Sequence, residues 1–241
     1  MHLKDKNLES QEQNRIKQNN NKKNNNKKRK SQSTTLLFFI LKKMENLKSS
    51  FLAGIAISIG CIAFIKTGGI IGAILFTFGL LTVVHYKLKL FTGTAGFFKN
   101  KKEFKDLWTI LIGNILGCLF VSLCIRLSCP DIVEGSGKIL CNRLSLPWIG
   151  YLVLGGGCGF IMTTAVNFGR DGKFLPLLFG VPIFIMCGFL HSIADAFYYV
   201  TSPIDIICDN VAKIIPMYLF IVIGNFLGCN LYRIIFYKTN K

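Results

Sequence analysis

The chain gathers its apolar residues into long blocks, at residues 51–65, 70–86, 107–127, 147–168, 174–200 and 212–236. A bilayer's hydrocarbon layer is roughly 30 Å thick, so a spanning helix needs about 20 mostly apolar residues. Several blocks meet that length, and the first can lengthen at both ends, starting near Leu47. Within lipid no water satisfies the backbone, so each block is predicted to be helical where it faces lipid. A further apolar run at residues 36–41, LLFFIL, is too short to span and lacks a signal-peptide cleavage pattern.

The loops between the blocks predict direction, because Lys and Arg are retained on the cytoplasmic side. Residues 1–43, 99–106 (KNKKEFKD), 169–173 with Arg170 and Lys173, and the end with Lys238 and Lys241 are basic. They alternate with poorer loops: 66–69, 128–146 with Asp131 and Glu134, and 201–211 with Asp205 and Asp209. Six crossings with both termini cytoplasmic satisfy every loop, which predicts an all-α polytopic protein of the cell (plasma or inner) membrane.

One internal match stands out: Ile112-Gly-Asn-Ile-Leu-Gly-Cys118 against Ile223-Gly-Asn-Phe-Leu-Gly-Cys229. Each copy sits in the third block of its half. Three crossings per half is an odd number, so the second copy enters from the opposite face. The expectation is two inverted three-helix repeats, about 47–127 and 147–236, with a pathway between the halves. On a blander reading, Gly113, Gly117, Gly224 and Gly228 allow close helix packing, and both readings can hold together. Asn114 and Asn225 are expected to hydrogen-bond between helices rather than touch solute.

Inverted repeats of this kind bring interrupted spans in matching positions, and the second and fifth blocks supply them. The second runs into Lys87-Leu-Lys-Leu-Phe-Thr-Gly-Thr94, and the fifth into Leu190-His-Ser-Ile-Ala-Asp195. Broken helices aim half-helix termini and freed backbone groups at a cavity. An ionisable side chain inside a span is costly and faces protein or water, so His191 becomes the first candidate site residue. Its unperturbed pKa near 6.5 suits it to exchange a proton with a weak-acid anion or to polarise one. Asp195, four residues on, is placed to orient the ring if the helix resumes. His85 reads as interfacial.

Composition sharpens this picture. The 241 residues are 51% hydrophobic with a mean hydropathy of +0.45, too apolar for soluble domains. The formal charge of +17 is concentrated in residues 1–43, which carry twelve Lys or Arg against three acids and are rich in Asn and Gln. That segment is expected to be a disordered cytoplasmic tail drawn to the membrane surface, and a start at Met44 would dispense with it. No aromatic residue is interleaved in its basic run, residues 4–30, and no binding fold follows, which argues against nucleic acid. Most of the nine cysteines lie within apolar blocks as small packing residues, while Cys129, Cys141 and Cys208 in outer loops leave room for one bridge. There is no CxxC, HExxH, GxSxG or P-loop, and the three histidines are scattered, so neither enzyme, metal nor cofactor is expected.

Four segments carry a resemblance: Phe51-Leu-Ala-Gly54, Leu90-Phe-Thr-Gly93, the Ile-Gly-Asn at 112, and Gly188-Phe-Leu-His-Ser-Ile-Ala-Asp195. Over residues 51–236 the chain resembles the formate/nitrite transporter family. The resemblance implies an aquaporin-like fold, a pore in each protomer, a homopentamer, and small anions such as formate, nitrite, hydrosulfide, acetate or lactate as solutes. Carried over residue by residue, it makes His191 the central pore histidine and puts Thr92 in the loop facing it. Leu90 and Phe91 would form an apolar constriction, and Arg143 would replace a vestibule lysine.

The chain also departs from that pattern. Lys87-Leu88-Lys89 stands where the family has Gly-Ala-Glu, Leu190 replaces a Glu, Asp195 replaces an Asn, and Gly159 falls where the family often has Asn. A more positive site would still favour anions with altered coupling or selectivity, unless Lys87 and Lys89 snorkel to the headgroups. The mechanism expected is a basic vestibule that concentrates the anion, then an apolar slit that a weak acid passes when protonated or hydrogen-bonded by His191. The rivals are a membrane scaffold or sensor that keeps the fold without transport, and a neutral-solute channel, against which the missing Asn-Pro-Ala pairs argue.

Overall fold

The computed structural model describes residues 37–236, and every described element is a helix. In chain order they are α1 (Leu37–Thr67), α2 (Gly69–His85), α3 (Phe91–Thr94), α4 (Lys101–Ser128), α5 (Pro130–Leu144), α6 (Trp148–Arg170), α7 (Leu175–Met186), α8 (Ser192–Thr201), α9 (Ile204–Cys229) and α10 (Leu231–Phe236). Among the described residues, α1, α4, α6 and α9 are long and apolar enough to cross a membrane. The apolar helices α2 and α7 are shorter. Each gives way to an irregular stretch and a short second helix, α3 or α8.

Two boundaries differ from the sequence reading. Residues 37–43, assigned there to the tail, are helical and continuous with the first span. The residues between the two apolar runs, such as Lys42, Glu45 and Lys48, are good helix formers that carry the helix on. The rest of the expected tail and the lysines at 238 and 241 lie outside the described residues. Second, the outer loop at 128–146 contains α5, which starts with Pro130 at a position where a missing N–H costs nothing. This helix buries Ile132, Ser136, Gly137 and Leu140 on one stripe and packs against α8. Its polar composition hides it from a search for apolar blocks. Lys66 at the end of α1 forms an ion pair with Asp131 at its start.

Small residues set how closely the helices approach. A Cβ added at Gly117 of α4 would lie 2.1 Å from the Phe51 carbonyl oxygen of α1, and one at Gly113 would lie 2.6 Å from Ser50 Cβ. In α9, a Cβ at Gly228 would fall 1.9 Å from the Gly156 oxygen of α6, and one at Gly224 would fall 2.5 Å from the Leu152 oxygen. Both IGNxLGC segments therefore lie at backbone-to-backbone contacts. Gly159 is 2.2 Å from the Asn225 oxygen by the same construction, so a side chain such as Asn has no room there.

The two helix breaks share one geometry. After α7, Gly188 adopts φ 74°, Gly188 N–H bonds Ile185 O at 3.1 Å, and Phe189 N–H bonds Phe184 O at 2.9 Å. After α2, Lys87 adopts φ 52°, its N–H bonds Val84 O at 3.2 Å, and Leu88 N–H bonds Val83 O at 2.9 Å. Both are Schellman stops, which satisfy orphan carbonyls by placing one residue in the left-handed region. Glycine enters that region freely, whereas Lys87 does so at a steric cost.

Candidate pore site

The backbone freed at each break is held by an asparagine from the IGNxLGC segments. Asn114 Nδ2 donates to Ser50 O (2.8 Å) and Lys89 O (2.9 Å), while its Oδ1 accepts from Phe91 N–H (2.9 Å). Asn225 Nδ2 donates to Gly155 O (2.9 Å) and Leu190 O (2.7 Å), while its Oδ1 accepts from Ser192 N–H (2.8 Å). Both side chains are fully buried, where unpaired backbone groups would be costly. In this frame Leu90 occupies in one break the place that His191 occupies in the other. The cysteines closing the two segments cross over: Cys118 Sγ lies 3.5 Å from Ile193 O, and Cys229 Sγ lies 3.2 Å from Thr92 O. Sequence reasoning took both as packing residues. Their signal was that each ends the repeated seven-residue string.

The breaks meet at one hydrogen bond. Thr92 Oγ1 lies 2.9 Å from His191 Nε2, with Thr92 0% and His191 1% exposed. His191 is the N-cap of α8, and its Nδ1 accepts from Ala194 N–H at 3.1 Å. With Nδ1 used as an acceptor, the neutral ring carries its proton on Nε2 and donates it to Thr92 Oγ1. The threonine hydroxyl hydrogen has no other partner among the described residues and is free to be donated. Phe184 stacks on the imidazole with centroids 5.6 Å apart.

Beside this pair lies a cavity of about 180 Å³, with Phe64, Phe184 and Phe189 on its apolar wall and Asn142, Arg143, Asp195 and His191 as polar groups. Arg143 Nε donates to Asp195 Oδ1 at 3.2 Å. Their side chains are 21% and 1% exposed. Asp195 therefore does not orient the histidine ring. As an N-cap, His191 is extended (φ −104°, ψ 111°), so its ring folds back over the first turn and the four-residue helical spacing does not apply. The site also gained two groups that sequence reasoning passed over, Asn142 and Phe184.

The remaining candidates fall elsewhere. Leu90 and Phe91 are buried, and Phe91 lines a second, apolar cavity of about 150 Å³ with Phe104, Trp108 and Phe226. Lys87 and Lys89 are exposed and line neither cavity. Lys89 contributes backbone alone: its N–H donates to Ser49 Oγ at 3.0 Å and its carbonyl accepts from Asn114.

Comparison with known proteins bears on this arrangement. The family model described as formate/nitrite transporter matches residues 28–238, beginning inside the segment expected to be tail. A Bacillus subtilis (strain 168) protein, "Uncharacterized transporter YrhG", is 28% identical over 79% of this chain and 85% of its own. A solved structure described as "Pentameric formate channel with formate bound" aligns with a TM-score of 0.70 at 18% identity, covering 82% of this chain and 97% of that one. An "FNT family ion channel" aligns at 0.71 and 19% identity, covering 82% and 90%. These two likenesses show a shared fold.

Proposed function

Because the chain belongs to the formate/nitrite transporter family, whose members are membrane channels and transporters rather than enzymes, we propose that it passes small weak-acid anions between Thr92 and His191. The observation that carries the proposal is the 2.9 Å bond joining the two helix breaks, one partner of which, His191, lines a partly polar cavity. A dry apolar wall opposes a bare anion, because desolvating a charge without compensation is prohibitively costly. The neutral His191–Thr92 pair lowers that cost by presenting a hydrogen-bond donor where water is stripped away. A weak acid gains further if it takes up a proton at this point.

Six crossings in two inverted halves give the path its setting. Matched Schellman stops, matched asparagine clamps and reciprocal cysteine contacts support this internal symmetry. Loop charge supports cytoplasmic termini. A pentamer of such protomers, each with its own passage, accords with the pentameric formate channel whose fold the chain shares.

Purified protein reconstituted in vesicles should take up labelled formate and nitrite saturably, well above protein-free vesicles. Preference for a monovalent cation, or uptake of glycerol with no anion uptake, would overturn the reading.

A further inference from the structure

We propose that the face shared by the start of α4 and the end of α9 binds an anionic phospholipid, with an acyl chain in an apolar cleft and the phosphate against Arg233, Lys101 and Lys105. This goes beyond the transport reading and does not depend on it. The cleft is the cavity of about 150 Å³ between α3, α4 and α9, lined by apolar and aromatic side chains, Phe91, Phe104, Trp108, Ile223 and Phe226 among them. A cavity with no polar partners does not hold water, so its occupant is apolar. Phe104, Trp108 and Ile223 are exposed, so the cleft opens on the outer surface of the bundle.

A trio of rings joins this cleft to a cation. Phe98 lies 5.4 Å from Phe104 and 6.1 Å from Phe226, centroid to centroid, and those two lie 5.8 Å apart. The guanidinium of Arg233 sits 4.3 Å over the Phe98 ring and spends one N–H on Phe98 O at 2.9 Å. On α4, Lys101 and Lys105 share a helical face with Phe104 and Trp108. Both lysines are exposed, and neither they nor Arg233 make an ion pair among the described residues. At 1.5 Å of rise per residue they stand about 10 and 5 Å along the axis from Trp108, and a headgroup layer is about 5–7 Å thick. Tryptophan favours the boundary between that layer and the hydrocarbon. Unneutralised cations at the rim of an apolar cleft, at this depth, complement a negative amphiphile. A zwitterionic headgroup brings a cation of its own to the same place, and a soluble anion gains nothing from the cleft. Phe91, on the inner wall, directly precedes Thr92, so a chain seated here also bears on the first helix break.

The test uses bromine on an acyl chain, which quenches indole fluorescence on contact. The chain has two tryptophans, so Trp148→Phe in the full chain leaves Trp108 as the reporter. In detergent, brominated phosphatidylglycerol should quench Trp108 saturably and at severalfold lower concentration than brominated phosphatidylcholine, and glycerol phosphate should not compete. Combined Arg233→Gln, Lys101→Gln and Lys105→Gln should abolish that preference while leaving the basic N-terminal residues in place. Ile223→Phe, which narrows the cleft, should weaken quenching by both lipids. Equal affinity for the two lipids, an unchanged preference in the triple variant, competition by glycerol phosphate, or no quenching at all, as when a second copy covers the cleft, would overturn the proposal. If Trp148→Phe does not fold, native mass spectrometry decides: the unsubstituted chain should retain phosphatidylglycerol over phosphatidylcholine and the triple variant should not, and equal retention would contradict the site.

Discussion

At the scale of single residues, the bond between Thr92 and His191 concentrates the chemistry of the site. Thr92→Val keeps the shape and removes the hydroxyl, leaving His191 Nε2–H unpaired in the interior. A lost hydrogen bond of about 1–1.5 kcal/mol corresponds to roughly a tenfold slower formate uptake, and Thr92→Ser should restore most of it. Uptake by Thr92→Val equal to that of the unsubstituted chain would remove the hydroxyl from the path. Lys87 gives a second expectation, opposite in sign. Its φ of 52° is a left-handed conformation that costs a non-glycine residue about 1 kcal/mol. Lys87→Gly should therefore raise the melting temperature without slowing flux, since the lysine side chain lines neither cavity. A lower melting temperature would mean that the side chain stabilises the break in a way the backbone does not reveal.

At the scale of elements, the two breaks stand or fall with the asparagines that clamp them. Asn225→Ala strips partners from Gly155 O, Leu190 O and Ser192 N–H together, at about 1–3 kcal/mol for each buried group left unpaired. Little folded protein should be recovered. Gly228→Ala should do the same by steric means, because its Cβ would sit 1.9 Å from the Gly156 oxygen. Normal yield and melting of either variant, read by circular dichroism in detergent, would contradict the packing described. Much of this level was legible in sequence. The apolar blocks, the repeated IGNxLGC string and the polar interruptions at Lys87 and His191 are all local signals, whereas Thr92 stands out only through the family resemblance. What escaped was non-local or unpatterned. The helix α5 has no apolar run, so nothing local marks Arg143, and its partner Asp195 reads in sequence as a neighbour of His191 instead. The left-handed backbone at Lys87 is invisible in a residue type that rarely adopts it. The cysteine contacts pair residues far apart in the chain.

At the scale of the whole molecule, a family of transport proteins supplies the frame, and this chain's departures from the pattern supply its individual character. Lysines at 87 and 89 do not line the cavity, whereas Asp195 pairs with the one arginine that does. Passage is thus expected to depend less on attraction of a bare anion than on hydrogen bonding and proton uptake at the narrow point. The most direct test is labelled formate uptake into vesicles stepped from pH 8 to pH 5, corrected for protein-free vesicles, for the unsubstituted chain and for His191→Phe. Uptake by the unsubstituted chain should rise as the pH falls, and the substitution should flatten that dependence. Identical pH profiles for the two proteins would contradict a passage governed by His191.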